Sequence, residues 1–172
     1  MPWPKIYPSI QISMLQAFLK QHGIQADIRS LYVSFADKIG CLKYTNISQA
    51  FLLSESVFAV LLYPQMKKDA LPALKKNIDK RFNYANLFNQ AESFVEETLK
   101  KIPFGDYEYV GFSTVFYQLF SSLALAKRIK ESYPQIKIVF GGDNCCGEKG
   151  SHLMQVYPWI DYIISYEGEY PL

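Results

Sequence analysis

With 172 residues, the chain is long enough to bury a core of its own and short enough to be one domain. Hydrophobic residues make up 49% and charged residues 20%, which argues against disorder, and aromatics reach 16%. A net charge of +2 gives no electrostatic reason to expect nucleic acid or an anionic membrane as a partner.

The N-terminus, "MPWPKIYPSI", lacks an apolar run of signal-peptide length. Three cysteines cannot all pair within one chain. Reduced thiols and a cytoplasmic location are expected. The most apolar window, 51–63, is interrupted by Ser54, Glu55 and Ser56 and is too short for a bilayer.

Ser9, following Pro8, is placed to cap a first helix. Ile10, Met14, Ala17 and Phe18 follow at helical spacing, and Gly23 is placed to end it. The stretch 25–31 then reads as a strand, with Ala26, Ile28 and Leu31 apolar. The stretch 34–105 is helical in pattern. One apolar helix is expected over 47–63, stopped by Pro64, and a weaker basic one over 70–81. An amphipathic helix is expected over 87–101, with Leu87, Ala91, Phe94, Val95 and Leu99 on one face and Pro103 and Gly105 beyond it.

The last third alternates. Strands are expected over 109–113, 136–140 and 161–165, and helices over 119–133 and 149–156. This alternation implies right-handed crossovers, a parallel sheet and an α/β fold carrying a helical insert of about 34–105. Ligands bind such sheets outside the carboxyl ends of the strands. Three loops belong there: "GFSTVFYQ", "FGGDNCCG" and "SYEGEYPL". Gly141 and Gly142 let backbone approach a ligand, while Ser113 and Thr114 offer hydroxyls.

Other chemistry is poorly provided for. Zinc needs about four ligands at suitable spacing, and His22, His152 and the three cysteines are scattered. Cys145 and Cys146 are adjacent, without the CxxC spacing of a redox or zinc motif, and read best as small loop residues. The glycine pair is neither a dinucleotide fingerprint nor a phosphate loop. His22 and His152 read as helix-surface residues, and Lys75, Lys76, Lys80 and Arg81 as a solvated helix face. Glu167 and Glu169 are candidate acids or bases without an evident partner, so no catalytic residue is assigned.

The segments "PSIQISMLQAFLKQHGIQADI", "VGFSTVFYQLFSSLALAKRIKESYPQIKIVFGG" and "YPWIDYIISYEGEYPL" occur in this order along nearly the whole chain. Together they resemble the cobalamin-binding domain that precedes the catalytic barrel of many radical SAM enzymes. "GGDNCCGEKG" followed by "PWIDYIISYEGE" looks like the branch that matures ribosomally synthesised peptides. The resemblance implies a flavodoxin-like or Rossmann-like parallel sheet whose first strand is missing here. It implies cobalamin held base-off, with no protein histidine on cobalt, since a DxHxxG motif is absent. Ser113, Thr114, Val115, Gly141, Gly142, Asp143, Asn144, Glu167 and Gly168 would line the site, with the nucleotide tail entering between strands.

The iron–sulfur cluster and S-adenosylmethionine would belong to the missing barrel, for the CxxxCxxC triad is absent. The chain would then be a fragment without turnover of its own. Its partners would be that barrel and a precursor peptide, with no nucleic acid or membrane. The alternative is a scaffold of the same fold that has lost the cofactor and docks a peptide or protein.

Overall fold

The computed structural model describes residues 1–3, 9–50, 53–77, 79, 83–84 and 86–168. It is an α/β arrangement. Five helices come first: α1 (Ile10–Gln21), α2 (Leu31–Ile39), α3 (Cys41–Ser48), α4 (Leu53–Leu62) and α5 (Lys67–Asn77). Then come α6 (Leu87–Lys101), β1 (Tyr109–Ser113), α7 (Leu119–Ser132), β2 (Lys137–Gly141), α8 (Glu148–Val156) and β3 (Tyr162–Ile163). The strands form one parallel sheet in the order β1-β2-β3.

The sheet is built as its sequence suggests. Ile138, Val139 and Phe140 are all buried, the mark of a central strand covered on both faces. Phe112 of β1 stacks on Phe140 with ring centroids 5.0 Å apart. Asp161 fixes the start of β3. One of its carboxylate oxygens accepts the Ile138 N–H at 2.8 Å and the Lys130 ammonium at 2.7 Å.

Helix α7 lies between the sheet and the helical layer. Ser121, Ser122, Leu123, Ala124, Leu125, Ala126 and Ile129 are all buried, and the small residues let α4 approach. Glu55 of α4 caps α7 from outside the helix. Its two oxygens accept the Leu119 and Phe120 N–H groups at 3.0 and 2.9 Å. These are donors the first turn cannot satisfy itself.

Trp3 is the centre of the helical layer. It is 1% exposed and meets Phe35, Tyr44 and Phe58 at centroid distances of 5.1, 5.2 and 5.9 Å. The Met1 carbonyl accepts from the Gln118 side-chain amide at 2.7 Å, and the Pro2 carbonyl accepts from the Ser121 hydroxyl. The N-terminal residues are thereby tied to the start of α7.

Four expectations need correction. Residues 25–30 form no strand. The Ala26 carbonyl accepts from Gln16 at 2.6 Å, Asp27 takes the Tyr107 hydroxyl, and Leu31 opens α2. Helix α1 forms where expected, with Ser9 at its N-cap and Gly23 at φ +76° just beyond its end, although Ile10 and Met14 of its stripe are 73% and 55% exposed. The helix expected over 47–63 is two helices, α3 and α4, bent by 97°, which sets Tyr44 of one and Phe58 of the other against Trp3. Phe51 and Leu52, inside that expected helix, lie outside the described residues. The basic helix runs over Lys67–Asn77, earlier than expected, and Lys80 and Arg81 also lie outside the described residues. The last strand is only Tyr162–Ile163.

By contrast Leu87–Lys101 and Tyr109–Ser113 have the expected bounds. Among the described residues, no single helix is long and apolar enough to cross a membrane.

Candidate functional site

The three loops meet at the carboxyl edge of the sheet. The chain leaves β1 at Ser113, β2 at Gly141 and β3 at Ile163, and parallel pairing sets these ends side by side, Ser113 opposite Gly141. Pro8 and Glu169 to Leu172, which the sequence reading invoked, lie outside the described residues.

The edge is stitched together by its own polar groups. The Thr114 N–H and hydroxyl both donate to the Gly141 carbonyl, at 2.8 and 3.0 Å. The Asn144 N–H donates to the Thr114 carbonyl at 3.4 Å, and the Asn144 side-chain amide to the Val115 carbonyl at 3.1 Å. Gly142 has φ +91°, and a Cβ there would lie 2.5 Å from the Thr114 carbonyl oxygen. The gap between the ends of β1 and β2 is therefore filled by backbone.

The neighbouring gap is filled too. The Ser165 hydroxyl donates to the Cys145 carbonyl at 3.1 Å. A Cβ on Gly150 would lie 2.5 Å from that same carbonyl oxygen and 2.6 Å from Ile163 Cγ2, so only glycine fits at this position in the first turn of α8.

Above this seal, several groups face outward. Ser113 makes no hydrogen bond among the described residues. Asp143 and Glu167 are exposed, and Asp143 lies 3.7 Å from the Lys149 ammonium. Gly147 has φ +60° and nothing within 4 Å of where a Cβ would sit. Phe116 and Tyr166 are 73% and 71% exposed. Tyr117 and Tyr166 hold φ angles of +64° and +71°, a conformation costly for a residue with a Cβ. Strain of this kind gathers at functional loops. The glycines carried a sequence signal for this edge. The two strained tyrosines and the exposed Phe116 carried none, since nothing local in "FYQ" or "SYE" demands a left-handed residue.

Cys145 is buried and Cys146 half-buried. Burial pushes the Cys145 thiol up, against the opposing pull of its contact with the Thr114 hydroxyl, 3.8 Å from the sulfur. A thiol so held stays protonated and is a poor nucleophile or metal ligand. Among the described residues, no three of His, Cys, Asp and Glu gather as a metal would require.

A groove of about 420 Å³ lies elsewhere, between α4, α6 and α7, lined by Val60, Phe88, Val95, Ala124 and Lys127 among others. None of the loop residues reaches it. Arg128 on its rim is engaged by Glu96 at 2.8 Å and Glu131 at 2.7 Å.

No family model, no curated protein and no solved structure matches the chain.

Proposed function

We propose that the chain is a cobalamin-binding domain of flavodoxin-like, Rossmann-type order, working in the cytoplasm beside a radical SAM barrel that modifies ribosomally synthesised peptides. The observation that supports this reading is the meeting of three loops at the carboxyl edge of one parallel sheet, with Gly142 laid on Thr114 and an open surface above. When bound, the corrinoid supplies the cobalt chemistry, and the protein supplies position.

Ser113, Asp143 and Glu167 have outward polar groups suited to the amides that fringe a corrin. Gly141, Gly142 and Gly168 keep the surface low, and Thr114, Val115 and Asn144 set its shape from beneath. The nucleotide tail fits less well. Backbone fills the gap between the ends of β1 and β2, so a tail there requires Gly142 and Thr114 to part.

That filled gap favours a second reading, a cofactor-free scaffold that docks a peptide on the same edge. Exposed Phe116 and Tyr166 suit such a contact. Titration with hydroxocobalamin, followed by desalting, separates the two. The first reading expects a retained, shifted visible spectrum at about one equivalent, lost in Ser113→Leu while the fold is kept. Absence of retention in the wild type sinks it in favour of the scaffold.

A further inference from the structure

One buried amide ties the N-terminal residues to the loop that follows β1. Gln118 is 6% exposed and stands just before α7. Its side-chain NH2 donates to the Met1 carbonyl at 2.7 Å, and its side-chain oxygen accepts the Val115 N–H at 3.2 Å. Only a neutral amide does both, since one partner requires a donor and the other an acceptor. The Gln118 carbonyl is held as well, accepting the Ser122 hydroxyl at 2.7 Å and the Ser122 N–H at 3.1 Å in the first turn of α7.

The same residue closes a turn over 115–118. The Gln118 N–H donates to the Val115 carbonyl at 3.1 Å, so Val115 and Gln118 bond each other reciprocally across Phe116 and Tyr117. The Asn144 side chain adds a second donor to the Val115 carbonyl, from the loop after β2. Tyr117, third in this turn, has φ +64°, where glycine is the usual occupant. A residue with a Cβ is disfavoured there by a factor of about 5 to 30. The turn therefore has to be held closed, and the two Gln118 bonds span it. Its other central residue, Phe116, is left 73% exposed on the carboxyl edge.

We infer that Gln118 is a positioning residue of the candidate site. It locks the turn that carries Phe116, so the edge offers a ligand one fixed aromatic face. The use of that face rests on the reading that the carboxyl edge binds the ligand. The lock itself does not.

The test is Gln118→Met, which keeps the length of the side chain and removes both of its bonds. NMR of the folded chain gives two local signals. In the wild type the Val115 amide is expected to exchange slowly, and Tyr117 to show the strong intraresidue HN–Hα contact of a positive φ. In Gln118→Met, Val115 should exchange about tenfold faster relative to Lys137 and Ile138, whose N–H groups are bonded at the sheet, and Tyr117 should lose that contact. A general loss of stability would instead speed all three amides alike and leave Tyr117 unchanged. That result overturns the inference, as does a wild type with fast Val115 exchange or a negative φ at Tyr117. Gln118→Ala carries the same expectations if Gln118→Met does not fold. Failure of both to fold also overturns the inference, because Gln118 then serves the whole fold and not this turn. Where the wild type retains hydroxocobalamin, the folded variant should bind it about tenfold more weakly, as expected of a loop that holds its competent form only part of the time. Equal affinity overturns the positioning role. A wild type that does not bind removes the cobalamin reading and leaves the two NMR signals to decide on the lock.

Discussion

Gly142 lies against Thr114 so closely that a methyl group on it would sit 2.5 Å from the Thr114 carbonyl oxygen and 2.9 Å from its nitrogen. At φ +91° the position is already one that only glycine adopts without strain. Gly142→Ala should therefore cost about 2–4 kcal/mol, from the backbone penalty and the forced separation together. Gly147→Ala, at φ +60° in open space, should cost about 1 kcal/mol. Urea denaturation of both variants checks the contrast. Equal losses would mean that contact with Thr114 does not matter.

Glu55 caps α7 from a neighbouring helix, so its effect is tertiary. Glu55→Ala strands the Leu119 and Phe120 N–H groups and should cost about 1–2 kcal/mol. The pH response has a definite sign. Burial pushes the Glu55 carboxyl up, and the two N–H donors only partly offset this. A raised carboxyl favours the fold most below the ordinary glutamate value near 4.3 and less as pH rises through the folded value. Glu55→Gln keeps an acceptor without that titration. Its stability should gain on the wild type between pH 4 and pH 7, and a loss over that range would refute the assignment.

Trp3 closes the helical layer from the chain's N-terminal end. Trp3→Ala removes the ring that joins Phe35, Tyr44 and Phe58 and should cost about 3–5 kcal/mol. Trp3→Phe should recover much of that. Thermal or urea melts of both variants read the effect. A loss below about 1 kcal/mol for Trp3→Ala would show that the ring is not the plug of this layer.

Asp161 holds β3 to β2 and α7. Burial pushes its carboxyl up, but the Ile138 N–H, the Lys130 ammonium and Lys137 outweigh that and hold it below the ordinary aspartate value. Its stabilisation is therefore complete above the unfolded value near 3.9 and is lost as pH falls through the lower folded value. Asp161→Asn should cost about 1–2 kcal/mol at pH 7, discounted for partial exposure, with the gap closing in acid. A pH-independent gap would contradict this account.

What could be read from the sequence was what local pattern decides. The helix at Leu87–Lys101 has a clean stripe and a proline beyond its end, and Tyr109–Ser113 is bounded by the turn at Gly105 and the polar Ser113 and Thr114. The errors lie where tertiary partners decide. Periodicity placed α1 correctly, but no element among the described residues buries Ile10 or Met14 of its stripe. The apolar Ala26, Ile28 and Leu31 looked like a strand, yet a strand needs a neighbour and this segment has none among the described residues. "MPWPKIYPSI" shows in sequence only the lack of a signal-length apolar run, while Trp3 is among the most buried side chains. At the carboxyl edge the glycines were legible. The bonds that close the gap were not, because they depend on the register of β1 against β2.

The central claim is that the carboxyl edge carries the ligand. Hydrogen exchange read by mass spectrometry, with and without hydroxocobalamin, tests it most directly. The account predicts slowed exchange in peptides covering Ser113–Val115, Gly141–Asn144 and Glu167–Gly168, with α6 unchanged. Unchanged exchange in those three loops, or protection confined to the groove between α4, α6 and α7, would contradict it.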